Sequence, residues 1–347
     1  MHAPMGIRAG QPVRAFASIH DIHARQRGMA VVSALLIVAV IAALAAGLLG
    51  RQSAFIRTTQ GDQSRVQARW LLRGEIGEAQ RVLRAEALRD VTTRLDGLWN
   101  QPFARQASGQ VAADGGRLVS EITDEQGKFN LRNLVDAVGV DPAEVEVFTR
   151  LCATVGVPPR QAQAIMRRVI LSLGDAESQA PGDVTQEVRT RAAKAAAALG
   201  LPAELPRAPT APRPRVVEDL LAVPGMDPAM LARLAPFVTV LPQRTWINAN
   251  TASAELIAAG VPGLSLDRAR ALLAARDRGQ WFVNRGDFVN RLRMPALDLN
   301  EMRMGITSNW FRVASVLDTA RTKFVQVALL HDDKTSMPRV TWLREGV

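Results

Sequence analysis

Residues able to act on a substrate are few and poorly spaced for it. Of four histidines, His2, His20 and His23 precede residue 29 and only His331 follows, so a serine or threonine further along has almost no imidazole to serve as its base. The single cysteine, Cys152, lies in the apolar stretch 148–157. One cysteine excludes an internal disulfide and a thiolate metal cluster, and its setting marks it as inert core. There is no glycine-rich phosphate loop and no His-Glu-x-x-His pair. Asp175, Glu177 and Asp183 are candidate ligands for a hard cation such as calcium, without the spacing of a calcium loop; solvated loop acids are the alternative. No enzyme emerges.

A second chemistry to weigh is phosphate binding. Asp219-Leu220-Leu221-Ala222-Val223-Pro224-Gly225-Met226 is echoed by Glu255-Leu256-Ile257-Ala258-Ala259-Gly260-Val261-Pro262-Gly263-Leu264, each followed by a helical pattern, so a helix-hairpin-helix unit occurs twice. Where such hairpins bind nucleic acid, a second glycine lets backbone N–H groups and a helix N-terminus approach phosphate. Here that position holds Asp227 and Ser265. The protein carries +10, yet 216–295 has nine arginines against seven acids, too even a balance for a duplex-binding face. Two hairpins packed as a helical bundle are expected, with no nucleic acid. The six tryptophans, Trp70, Trp99, Trp246, Trp281, Trp310 and Trp342, are scattered and expected in the core rather than as a stacking platform.

The elements that position these residues follow from periodicity. Residues 29–49 are apolar but for Ser33, and at about 1.5 Å each they span roughly a bilayer core. Arg25 and Arg27 precede them, which keeps 1–28 on the cytoplasmic side and sends the rest across; a secretory signal peptide is the alternative. Helical periodicity then continues to Pro102, with Leu72, Ile76, Ala79, Leu83 and Ala87 on one face. Strands are expected at 117–123, 311–317, 324–330 and 339–343, and 124–127 as a turn. Between the first strand and the others lie helical patterns at 145–155, 159–173 and 186–199, then a linker at 201–215 with five prolines. With 347 residues, two or three domains are expected: a small α+β domain whose sheet is split in sequence by an all-helical insert.

Placed in this order, the parts resemble the minor pseudopilin K family of bacterial type II secretion systems (general secretion pathway protein K). Arg27-Gly28 before Met29 is similar to a prepilin-peptidase junction. Asp124-Glu125-Gln126-Gly127-Lys128-Phe129-Asn130-Leu131 resembles the signature that enters the family's insert. Val238-Thr239-Val240-Leu241-Pro242, Ile247-Asn248-Ala249-Asn250-Thr251-Ala252-Ser253 and 283–292 resemble its second part. The resemblance covers 25–347. Arg132 departs from the usual Asn-Leu-Asn, and the loop where relatives carry calcium is reduced to Leu173-Gly174-Asp175-Ala176-Glu177.

The resemblance implies an α+β fold: a pilin-like long N-terminal helix packed on a small antiparallel sheet, with a large SAM-like, helix-hairpin-helix-like insert. The implied divisions are a leader at 1–28, a transmembrane helix at 29–50, stalk helix and first strands at 51–135, and insert parts at 136–215 and 216–295. Closing strands occupy 296–347. It implies cleavage between Gly28 and Met29 by prepilin peptidase, a single inner-membrane pass with a periplasmic bulk, and a non-enzymatic role at the pseudopilus tip with minor pseudopilins I and J and the major pseudopilin. Counted from Met29 the fifth residue is Ser33, where pilin-like subunits that add beneath a neighbour carry glutamate, so Ser33 marks a tip position. The alternative is a membrane-anchored periplasmic helix-hairpin-helix DNA-binding protein.

Overall fold

A computed structural model describes residues 19–106, 116–174, 184–295, 297, 302–320 and 322–346. The chain divides into two compact units, one ending at Val66 and the other beginning at Gln67. Helix α1, Ile19–Arg89, supplies all of the first unit that is described. It contains the apolar segment Val31–Gln52, 22 residues with mean hydropathy 2.8 and none of it buried. An unburied face of this kind has no core to join and suits hydrocarbon instead.

The second unit opens with the last turns of α1. Ala68, Leu72, Ile76, Ala79 and Leu83 are buried, so the expected stripe begins one turn earlier, and Ala87 is only half-buried at its end. The stripe lies on a five-stranded antiparallel sheet. Its strands are β1 (Phe103–Gln106), β2 (Arg117–Asp124), β7 (Trp310–Asp318), β8 (Lys323–His331) and β9 (Arg339–Gly346), neighbours in that order. The four strands expected from sequence are present, each extended by one to three residues; β1 is additional.

Alternation decides what meets α1. Ile122, Val313 and Ala328 face Ile76, Ala79 and Leu83, while Leu118 and Leu317 face Ala68 and Leu72. Between these two apolar layers runs a buried polar row. The Ser120 hydroxyl donates to Glu75 across 2.8 Å and lies 2.9 Å from the Ser315 hydroxyl, so sliding α1 by a turn strands the Glu75 carboxylate against leucines, an expensive mismatch.

The insert occupies the chain between β2 and β7. Its helices are α2 (Pro142–Thr154), α3 (Pro159–Leu173), α4 (Gln186–Ala198), α5 (Pro228–Leu234), α6 (Ala254–Gly260), α7 (Leu266–Asp277) and α8 (Arg285–Leu292). Side chains on both sides of residue 215 share one core that runs from Phe129 to Met304. Two parallel pairs of two residues each stitch distant segments. β3 (Phe129–Asn130) pairs with β4 (Val238–Thr239), and β5 (Ile247–Asn248) with β6 (Met304–Gly305). In the first hairpin unit, Val217–Ala222 is a 3-10 helix rather than an α-helix.

Two tryptophans depart from the expected core role. Trp70 and Trp246 are 68% and 47% exposed, whereas Trp99 and Trp310 are buried. Trp70 sits on α1 away from the buried stripe, with the Arg73 guanidinium 5.9 Å from its ring, and Arg285 covers Trp246 at 5.1 Å.

Candidate functional site

Three places bear on function: the apolar segment of α1, the hairpins and the junction where the insert leaves the sheet. In the first, Gly28 and Met29 fall inside α1. The Ser33 hydroxyl donates to the Met29 carbonyl, one turn back, across 2.8 Å. It is thereby satisfied by its own helix and tolerates an apolar surround.

Both hairpins close at a glycine with positive φ, Gly225 at 83° and Gly263 at 76°, which a side chain would oppose. The residues in the second-glycine position cap the helices that follow. The Asp227 carboxylate accepts from the Met230 N–H at 2.7 Å, and the Ser265 hydroxyl from the Arg268 N–H at 3.3 Å. One N-terminal donor of each helix is thus engaged by the chain itself, in the first hairpin by a negative charge.

The junction brings together the two blocks that carry the resemblance, although about 120 residues separate them. Asp124 ends β2 and is buried. One carboxylate oxygen accepts from the Gln126 N–H at 2.8 Å; the other accepts from the Thr251 hydroxyl at 2.6 Å, the Ser308 hydroxyl at 2.6 Å and the Asn248 amide at 3.2 Å. Burial pushes the Asp124 carboxyl upward, and these four donors pull it back. Gly127 presses so closely on Thr251 that a Cβ there would stand 2.9 Å from its hydroxyl and 3.1 Å from its carbonyl oxygen.

Asparagines imitate strand partners around this point. Asn133 exchanges two hydrogen bonds with the backbone of Thr245, at 2.8 and 3.0 Å, and Asn250 two with Phe282, at 3.0 and 2.9 Å. Each amide offers a donor and an acceptor at the spacing of a peptide group. Arg132, where the family pattern is broken, is buried and donates to the Val135 carbonyl at 3.1 Å; burial, with Arg213 and Arg244 nearby, lowers its pKa to about 10.

Beside the junction lies a charged cluster that sequence periodicity did not mark. Asp141 caps α2 and binds both Arg244 and Arg303. Glu144, buried one turn on, meets Arg303 at 3.4 Å. Burial and the adjacent Asp141 charge push Glu144 up to about 7, against the pull of the two arginines and Asn133. The only sequence signal was Asp-Pro at a helix start.

Asp175, Glu177 and Asp183 lie outside the described residues, among which no three His, Cys, Asp or Glu could hold a metal ion. Cys152 is buried and its thiol is pushed up to about 12, which leaves it unreactive. The arrangement positions the insert against the sheet.

Comparison with known proteins fits that picture. Two family models described as type II secretion system, protein K match residues 127–243 and 247–307, so the matched region begins at Gly127 and ends beside Ser308, at the junction. Type II secretion system protein K of Pseudomonas aeruginosa is 31% identical over 322 residues, covering 91% of each chain. The protein K of Dickeya chrysanthemi is 28% identical over 340 residues, 89% of this chain and 94% of its own. Among solved structures, a chain in the crystal structure of the GspK-GspI-GspJ complex of enterotoxigenic Escherichia coli superposes with TM-score 0.57 and 18% identity, over 83% of this chain and 99% of that one. That superposition shows the shared fold, and by the extent of its identity to the Pseudomonas protein the chain belongs to the type II secretion system protein K family.

Proposed function

We propose that this protein is a membrane-anchored minor pseudopilin that starts or caps the tip of the type II secretion pseudopilus, serving export of folded proteins without catalysing a reaction. The observation that carries this reading is the Asp124 junction. It fastens a helical insert of about half the chain to a pilin-like sheet through buried hydrogen bonds, so the insert cannot swing aside. A stack of subunits related by a helical repeat has room for such a body only at its end.

The remaining parts fit the same role. Val31–Gln52 anchors the chain in the inner membrane, with residues 1–28 cytoplasmic and the bulk periplasmic. Prepilin peptidase cuts between Gly28 and Met29, where glycine leaves room for a tight active site. Ser33, bonded to its own helix, has no carboxylate with which to pair the amino terminus of a subunit above. Partners I and J are inferred from the complex in which the structural relative was solved, and the major pseudopilin continues beneath. The capped hairpins argue against nucleic acid as partner.

Co-purification of the full chain from detergent with pseudopilins I and J of the same system is the direct test. A stoichiometric ternary complex supports the assignment; retention of neither partner contradicts it.

A further inference from the structure

Strand β9 ends the sheet, and among the described residues no strand pairs with its outer side. Eight residues of open edge are a liability that proteins usually cover or blunt. Here a bulge opposite Leu329 and Leu330 breaks the ladder near Thr341, which leaves a regular edge from Trp342 to Gly346. Beside it the sheet and the insert enclose a cleft of about 350 Å³. Its floor is apolar, from Val217, Val240, Val327 and Leu329, and Trp342 supplies the wall nearest the edge.

Charge distinguishes this cleft from a mere packing gap. Lys128, Arg215, Arg312 and Arg344 line it against only Glu125 and Glu218. Glu125, Lys128 and Arg312 are engaged with one another, which leaves Arg215 and Arg344 against Glu218. Glu125 is buried, binds Lys128 at 2.8 Å and Arg312 at 3.2 Å, and accepts from the Thr239 hydroxyl. Arg215 and Arg344 form no ion pair among the described residues, and Arg344 rests over Trp342 at 5.4 Å. Trp342 and Arg344, two apart on β9, both line the cleft, while Glu345 points to the other face and binds Arg69 at 3.0 Å.

We infer that this edge takes an extended, acidic segment of another polypeptide as a sixth strand. Main-chain pairing to Trp342–Gly346 would supply affinity; on the side facing the cleft, an apolar side chain would meet Trp342 and carboxylates would meet Arg344 and Arg215. A second copy of this chain is a poor occupant, because its own β9 brings Arg339 and Arg344 to a surface that is already cationic.

The probe is the fluorescein-labelled octapeptide Val-Thr-Asp-Thr-Val-Thr-Asp-Thr, whose valines and aspartates share one face of an extended strand, titrated by anisotropy into the full chain in detergent micelles. Saturable binding is expected, weakened about tenfold or more by Arg344→Glu and by raising the salt several-fold. Arg215→Glu, on an exposed side chain, should act in the same direction if Arg344→Glu disturbs folding. The same peptide with alternate amides methylated should not bind, and the peptide with lysine in place of each aspartate should not bind. Absence of binding, equal binding of the lysine peptide, or indifference to amide methylation or to both charge reversals overturns the proposal. So does a dimer of this chain that Arg344→Glu dissolves, since the edge would then be its own partner.

Discussion

The Thr251 hydroxyl donates to the Asp124 carboxylate across 2.6 Å, and through that bond the end of strand β2 holds a loop that lies far along the chain. Ser308, where the chain returns toward the sheet, donates to the same oxygen. Entry to the insert, its middle and its exit are therefore tied at one buried group.

Removing that group takes a buried acceptor from four donors. Asp124→Ala should cost on the order of 3 kcal/mol, and Asp124→Asn, which keeps one acceptor oxygen, about half of that. Chemical denaturation measures the loss. Limited proteolysis should cut the variant at 124–127 and near 308 under conditions that leave the native protein whole; an unchanged digest and midpoint would mean the junction does not hold the insert.

Gly127→Ala tests the same contact by crowding. Its Cβ would press on the Thr251 backbone as well as its hydroxyl, and backbone does not give way cheaply, so a cost of about 1–3 kcal/mol is expected. A Gly127→Ala, Thr251→Ala double variant recovers little, because the carbonyl remains.

Glu144 gives the protein a pH dependence of definite sign. Its pKa rises from 4.5 to about 7 on folding, so its contribution is fully present below about 4.5 and is lost as pH climbs through 7. Stability should fall between pH 5 and pH 8 by an amount on the order of 2–3 kcal/mol from this group. Asp124 is shifted with the same sign, so thermal melts of Glu144→Gln should show a flatter profile, not a flat one. Identical slopes in the two proteins would remove Glu144 from the account.

Much of this was legible in sequence, and the exceptions share a cause. Alternation located β2, apolar β-branched runs located β7, β8 and β9, and helical and alanine-rich patterns placed α3 and α4 within a residue or so, because those signals are local. β3 and β4 are two residues long and exist only because Phe129 lies beside Val238; no window of sequence contains both. The Asp124 and Asn248 blocks were recognisable as signatures, yet their meeting depends on how the helices between them pack. Trp70 and Trp246 were misplaced because tryptophan's average burial says nothing about which face of an element carries it.

Cys152 offers a probe of the insert's opening. With its thiol pushed up to about 12 inside the core, a maleimide should label it only after the insert unfolds. Labelling of Asp124→Ala should be faster than that of the native protein at the same denaturant concentration. Rapid labelling of the native protein would show the core to be open.

Processing is read most simply by mass. Protein made in a host with prepilin peptidase should begin at Met29, and Gly28→Leu should retain the leader. A Gly28→Leu protein still trimmed at Met29 argues against this cleavage chemistry.

The central claim is a position at the tip, and labelling overproduced pseudopili with gold-coupled antibody against the insert tests it most directly. Label is expected at one end of each fibre. Label repeated along the fibre would contradict it.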